Sequence, residues 1–311
     1  MIITKYNEEH KAIWDAFIAG AKNGHFFFQR DYMDYHKQIF TDHSLMIYDN
    51  NKLIAVLPAN IDKNILYSHQ GLTFGGFIVN DKMKTEIMLV IFQFLKEYLK
   101  NNSIDKMEYK CIPYNYHIKP SEEDRYALFL NNARLIRRDV CSVIYLQEPF
   151  RYSKSRKITI NEANKNNFEI FQSNDYDGYW KLLTDLLKSK YGSKPVHSLE
   201  EIKKLAGLFP DNIKLFLAQK NKTIVSGTLI YENENIAHTQ YLASSQWGRE
   251  LGCLDILLDH LIKNVYNSKK YFSLGISNEN AGKYLNTGLI SYKEGFGARA
   301  VCHDFYELYV K

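Results

Sequence analysis

The sequence predicts a mixed α/β protein made of two similar units. Three observations carry that reading. The last quarter, from about Asn235 to Gly297, alternates strands with glycine turns and short helices. A weak copy of the same order lies about 170 residues earlier. The length, 311 residues, of which 45% are hydrophobic and 24% charged, suits about two globular domains.

The first half opens with apolar-periodic helices over Glu8 to Ala21 and Asp31 to Phe40. Asn51-Lys52-Leu53-Ile54-Ala55 reads as the tight turn and second strand of a hairpin. Asn64-Ile65 starts the next strand, which carries Tyr67 and His69 and runs into the loop Gly71-Leu72-Thr73-Phe74-Gly75-Gly76. A helix near Thr85 to Leu99 follows, then strands at Met107 to Cys111 and Val140 to Leu146. Pro149 and the basic run Arg151, Lys154, Arg156, Lys157 read as a solvated linker. The predicted domains are therefore 1–150 and 151–311.

The second half repeats the plan. Helices fall at Asp175 to Ser189 and Leu199 to Leu208. The hairpin segment Asn221-Lys222-Thr223-Ile224-Val225 lies 170 residues after its counterpart, and Asn235-Ile236 lies 171 after Asn64-Ile65. In this register His69 falls opposite Gln240, and Tyr67 opposite His238. The strand Ile236 to Leu242 leads through Gln246-Trp247-Gly248-Arg249-Glu250-Leu251-Gly252 into a helix from Leu254 to Ile262. A glycine turn between strand and helix aims backbone N–H groups and a positive helix end at one spot, which suits a phosphate-bearing ligand. A strand at Tyr271 to Gly275, a short helix over Asn280 to Leu289 and the closing Tyr292 to Gly297 complete the pattern.

Net charge is +5, which permits an anionic ligand, but no Lys/Arg block is dense enough to predict a DNA partner. Cys111, Cys141, Cys253 and Cys302 lie far apart, without zinc spacing or a disulfide framework, so no metal is expected. Cys253 opens the helix after the glycine turn, where a thiol pKa can fall, though buried and inert is the favoured reading. The N-terminus lacks a signal-peptide pattern and no run approaches the ~18 apolar residues of a membrane span. The expected location is cytoplasmic.

Arg249-x-x-Gly252-x-Leu254 resembles the Q/R-x-x-G-x-G/A turn of the GNAT N-acyltransferases, which wraps the pyrophosphate of acyl-CoA; Leu254 replaces a small residue. Asn278-x-x-Ala281-x-x-Tyr284-x-x-x-Gly288-Leu289 resembles a later family segment with one residue missing. Lys293-x-x-Phe296-Gly297 resembles the ending of Fem-type (FemAB-like) transferases, which carry two GNAT folds in one chain and add amino acids to cell-wall precursors. The resemblance implies two tandem GNAT-like domains. The second binds the donor and does the chemistry; the first braces it and walls the acceptor groove. The implied reaction moves an acetyl or aminoacyl group from a thioester or aminoacyl donor to an amine. That amine belongs to a small molecule or a cell-envelope precursor: an amino-sugar, peptidoglycan or surface polysaccharide. Acetyl-CoA or another acyl-CoA is the implied co-substrate, held by Gln240, Gln246, Trp247, Gly248, Arg249 and Gly252. Aminoacyl-tRNA is left open but not favoured, because no helical-hairpin arm appears and the strand Tyr271 to Gly275 lacks an Asp that many relatives place there.

Acyl transfer needs a polarised carbonyl, a neutral amine, alignment and a protonated leaving group. His238 is the candidate base, since a neutral imidazole takes a proton near pH 7. It shares a strand face with Gln240 by period-two spacing. His69, in the matching strand of the first half, is the second candidate. By resemblance, Tyr284 protonates the leaving thiolate, and Lys293 stabilises the oxyanion or holds a phosphate. Asp255 and Asp259, one helical turn apart, read as a surface feature. Leu254 makes the phosphate turn degenerate. A non-catalytic GNAT-like binding or scaffold protein is therefore the alternative.

Overall fold

Two hairpin turns, each with both central residues at positive φ, show the internal repeat in the computed structural model, which describes residues 1–310. They are Asn50–Asn51 and Asn221–Lys222, the left-handed pair that a type I′ turn requires. A register irregularity precedes each, at Ile47/Tyr48 and Ala218/Gln219. Both features repeat at an interval of 171 residues, one more than the sequence match at Asn51 and Asn221 suggested. The interval agrees with that of Ile65 and Ile236.

One compact unit comprises Met1–Asp139, Asn278–Tyr284 and the chain from Cys302 onward. Its elements begin with β1 (Ile2–Lys5), α1 (Lys11–Ala19), α2 (Arg30–Met33), β2 (Thr41–Asp42), β3 (Leu45–Asp49) and β4 (Lys52–Leu57). Then come β5 (Asn60–Asp62), β6 (Ile65–Tyr67), β7 (Ile78–Val79), α3 (Thr85–Asn101), β8 (Lys106–Lys110), α4 (Glu123–Leu130) and the start of β9 (Arg134–Tyr145). Strands β1, β3, β4 and β7 form an antiparallel sheet; β2, β5, β6 and β8 are neighbours in another, with β6 and β8 parallel. Helix α3 buries Met88, Ile91, Phe92, Leu95 and Leu99, a single stripe at spacings of three and four. These join Leu45, Ile47, Leu66 and Met107 in the core.

The other unit comprises Val140–Ser277 and Leu285–Val301. It holds α5 (Lys154–Asn164), β10 (Glu169–Ser173), α6 (Tyr176–Tyr191), α7 (Leu199–Leu208), β11 (Ile213–Lys220) and β12 (Thr223–Glu232). Then follow β13 (Ile236–Ser244), α8 (Gln246–Glu250), α9 (Cys253–His260) and β14 (Tyr271–Ile276). The chain visits the first unit through β15 (Asn278–Glu279) and β16 (Tyr284–Leu285), then forms α10 (Thr287–Glu294) and β17 (Arg299–Tyr309). The sheet order here is β10-β11-β12-β13-β14-β9, antiparallel except for β13 and β14. Cys253, Leu257 and Leu258 of α9 pack with Ile160, Ala237 and Phe272.

Two readings from sequence differ from this. The division falls at 139/140 rather than 150/151, and part of the last 35 residues returns to the first unit. The reason is long-range pairing: β17 runs antiparallel to β8, from Phe305↔Lys110 to Tyr309↔Lys106. The basic run at 151–157 is not wholly a linker either. Ser153 accepts the Arg156 N–H and caps α5, which buries Ile160 and Ala163. Among the described residues no helix is long and apolar enough to cross a membrane.

Candidate functional site

Strands β13 and β14 run parallel for three pairs, Ile236↔Tyr271, Ala237↔Phe272 and His238↔Ser273, and then part. Two irregularities coincide with the parting. Gln240 is an extra residue in β13, between the pairs Leu229↔Tyr241 and Ile230↔Thr239. Such a bulge bends its strand and leaves a residue unpaired in the ladder. β14 slips register against β9 between Ser273 and Ile276, with Gly275 at φ +73. A side chain at Gly275 would be strained, and its Cβ would come within 3.3 Å of His238 Cε1.

Lys293 of α10 reaches this parting. It is 4% exposed, and its Nζ donates to the carbonyls of Gly275 (3.1 Å) and Ile276 (2.5 Å). His238 Nδ1 lies 3.1 Å from Ser273 Oγ. Burial, and then the Lys293 ammonium, push the imidazole down to about 4. Burial also lowers Lys293 to about 8. His238 is thus neutral at pH 7 but a weak base, not one that titrates in the ordinary imidazole range. Lys293 is the group that changes charge close to neutrality. Next to Gln240 in the chain, the Tyr241 hydroxyl lies 2.7 Å from His197 Nδ1.

The donor turn is more closed than its sequence suggests. Ser245 caps α8 at once, so the amides there turn inward. Gly248 N–H donates to Ser245 Oγ (2.9 Å), Arg249 to Ser245 O (2.9 Å), Leu251 to Trp247 O (3.1 Å) and Gly252 to Arg249 O (3.2 Å). Gln246 bonds Glu250, and Trp247 is 40% exposed. Gly248 is glycine for packing, since a Cβ would lie 2.5 Å from Val225 O. Gly252, at φ +69, hands the chain to α9. Helix geometry leaves the first-turn amides of Cys253 and Leu254 without intrahelical acceptors.

A cavity of about 530 Å³ opens there, lined by Lys190, Arg249, Gly252, Leu254, Asn286 and Tyr292 among others. Helices α9 and α10 both begin at its wall, so two positive helix ends and two cations face one space. Arg249 is steadied by a bond from its guanidinium to Ser244 O (2.8 Å). Asp255, read from sequence as a surface group, is buried on this wall. It accepts from the Tyr292 hydroxyl (2.7 Å) and pairs with Arg156 (2.5 Å). The Arg156 guanidinium lies over the Tyr292 and Phe296 rings, 4.2 and 4.5 Å from their centroids. Burial and the Asp255 charge push the Tyr292 phenol well up. Burial raises Cys253 to about 11, so its thiol is not activated.

Two expected residues lie in the first unit. His69 is 3% exposed at φ +64, and its carbonyl accepts from Lys110 Nζ (3.0 Å). Tyr284 is half exposed on β16 rather than on a helix. Asn280, Ala281 and Gly282 at positive φ turn that segment into a hairpin, and the helix starts only at Thr287. The structure therefore joins His238 with Lys293, and Arg249 with Gly252. Tyr292 and Arg156 were missed. The signal for Tyr292 was its place between the helix cap Asn286 and the stop Gly295-Phe296.

No protein-family model matches the sequence, and no curated protein matches it. Solved structures do match. FemX superimposes over 99% of this chain and 97% of its own, with a TM-score of 0.70 at 11% identity. L-PGS from Bacillus licheniformis covers 98% of this chain and 93% of its own, at 0.64 and 13%. A tandem GNAT protein from the clavulanic acid biosynthesis pathway covers 100% and 98%, at 0.53 and 8%. At these identities the likeness is one of fold, and the chain has the tandem GNAT fold of the Fem type.

Proposed function

We propose that the protein is an N-acyltransferase. Its donor lies in the cavity between α9 and α10, and its donor carbonyl sits where β13 and β14 part. The observation that carries this is the position of Lys293, a buried ammonium at the parting, one residue after Tyr292 on the cavity wall. An ammonium has three donors, and two are engaged by backbone carbonyls. The third is free to meet the oxygen of the donor carbonyl as it gains charge. Neutral His238 keeps a second positive charge away from the incoming amine. Tyr284 keeps, by resemblance alone, the proposed role of protonating the leaving group.

Acyl-CoA is the donor proposed first, since Lys190, Arg249 and two helix ends suit a diphosphate. The proposed acceptor is an amine on a small molecule or a cell-envelope precursor, in keeping with the Fem-type fold. One observation favours a binding protein without turnover: Leu254 stands on the cavity wall where a small residue would admit a pyrophosphate more closely.

Incubation with acetyl-CoA and a panel of amino-sugars and amino-terminal peptides, followed by thiol release, separates these readings. Saturable CoA binding without thiol release supports the binder. Arg249→Ala is expected to weaken CoA binding by ~1.5–3 kcal/mol, the range of a charge-assisted hydrogen bond. Unchanged affinity in that variant removes CoA from this cavity.

A further inference from the structure

A second cavity, of about 380 Å³, opens beside α5 in the same unit. Its size falls within the ~300–1,000 Å³ of small-molecule sites. Phe150, Tyr152 and Ile160 form an apolar floor, with Tyr152 9% and Ile160 5% exposed. Arg151, Lys157 and Lys263 stand around it. The Phe150 and Tyr152 rings are 5.9 Å apart, and the Lys263 ammonium lies 4.8 Å from the Tyr152 centroid. Lys263 pairs with Asp259 at 2.6 Å. Among the described residues, neither Arg151 nor Lys157 has a carboxylate partner. Two charges are thus left uncompensated over an aromatic surface.

The walls are held in place. Ser153 N–H donates to Gly295 O (2.9 Å). Gly297 is at φ +85, and a Cβ there would lie 3.2 Å from both Arg151 O and Phe150 Cδ2. The glycines of the closing Lys293-x-x-Phe296-Gly297 motif therefore let the segment 150–153 press against the turn that follows Lys293. On the opposite wall Lys263 sits in a π turn, Leu261–Val265, closed by Tyr266 N–H to Leu261 O (2.8 Å). Such turns are frequent at functional sites.

We propose that this cavity binds an organic phosphate that carries an apolar body. A phosphate brings up to two negative charges to the two uncompensated cations, and the arginine fork matches its oxygens. The apolar part lies on Phe150, Tyr152 and Ile160, where removal of apolar surface from water favours it. A soluble aryl or alkyl phosphate and a phospholipid headgroup present the same chemistry. The inference does not depend on the acyl-transfer reading, because its cavity shares no lining residue with the donor cavity.

Calorimetric titration of the full chain with phenyl phosphate tests it, with inorganic phosphate alongside. Phenyl phosphate is expected to bind saturably, at least tenfold more tightly than inorganic phosphate. The double variant R151E/K157E, changed only at exposed positions, is expected to lose at least tenfold in affinity while its thermal transition stays in place. Co-sedimentation with phosphatidylglycerol vesicles identifies the source. Sedimentation that phenyl phosphate and the double variant both abolish points to a lipid headgroup; saturable phenyl phosphate binding without sedimentation points to a soluble ligand. No saturable binding, equal affinity for inorganic phosphate, or full affinity in the double variant each overturns the proposal.

Discussion

In the first unit β6 and β8 run parallel for three pairs, Ile65↔Lys106 to Tyr67↔Glu108, as β13 and β14 do in the second. Beyond the third pair the copies diverge. The first laces its strands together. Ser68 N–H donates to Glu108 O, and Lys110 N–H to Ser68 Oγ. Lys110 Nζ then takes three carbonyls, His69 (3.0 Å), Gln70 (3.1 Å) and Leu72 (2.6 Å). In the second unit the position equivalent to Lys110 is Gly275, which has no side chain to fill the gap. The lysine there arrives from another element, α10, and uses two carbonyls. Burial lowers both lysines to about 8. Similar titration therefore says little about role; the hydrogen-bond count separates a saturated strut from an ammonium with a donor to spare.

The sharpest way to break this contrast is to remove each ammonium in turn. Lys293→Met is expected to lower turnover by 10²–10³-fold, about 2.7–4 kcal/mol, with donor affinity changed only a few-fold, as for a donor aimed at a developing oxyanion. Lys110→Met is expected to leave turnover per folded molecule within about twofold. Equal losses in both would make the two lysines equivalent. The Lys293 dependence also has a sign: the rate should fall as pH rises through about 8, because loss of the proton removes the charge proposed to stabilise the oxyanion.

Acid separates the units less strongly. His238 in the second unit is held down to about 4, while His117 and His303 in the first are held to about 4 and 3. Burial is the largest cause for all three. All three folded values lie below the ordinary 6.5, so the unfolded chain binds protons first. Their contribution to stability is complete above pH 6.5 and is lost as pH falls to 4, or to 3 for His303, on the order of 3–5 kcal/mol for each histidine. The urea midpoint is expected to hold steady from pH 8 to 7 and fall steeply between 6.5 and 4. Replacing His117 and His303 together by Gln should flatten that fall more than His238→Gln does. The reverse order would place the acid-sensitive core in the second unit.

What the sequence made legible was local. The hairpins are visible because asparagine tolerates positive φ, and the strands that follow them because Asn64-Ile65 recurs as Asn235-Ile236; that each then pairs in parallel with a later strand was not read. Lys293 was visible through its spacing to Phe296-Gly297. What stayed hidden depends on contacts between distant residues. Arg156 looks like part of a solvated basic run until Asp255, 99 positions on, is seen to pair with it. The return of β17 to β8 has no local signature, and it moves the domain division. Tyr284 was favoured because it fills the tyrosine position of the segment from Asn278 to Leu289. The helix itself begins three residues later, because Asn280-Ala281-Gly282 makes a turn first.

The smallest predicted effect compares the two hairpin turns. Their second central residues are Asn51, at φ +60, and Lys222, at φ +61. Both are exposed, so packing does not decide between them. Asparagine visits the left-handed region at modest cost, because its short polar side chain bonds locally; lysine incurs the Cβ–carbonyl clash of about 1–2 kcal/mol. Glycine removes the clash and gives back part of the gain through a freer unfolded chain. Lys222→Gly is therefore expected to stabilise by about 0.5–1 kcal/mol, a Tm rise of roughly 2–3 °C for a unit of this size. Asn51→Gly should change stability by only a few tenths of a kcal/mol. Lys222→Ala is the control, since it keeps the clash and loses the side chain. If Lys222→Ala rises as much as Lys222→Gly, the gain comes from lost charge on a basic surface and not from the turn. If Asn51→Gly rises as much as Lys222→Gly, the two turns carry equal strain, and the first copy is no better fitted to its hairpin than the second.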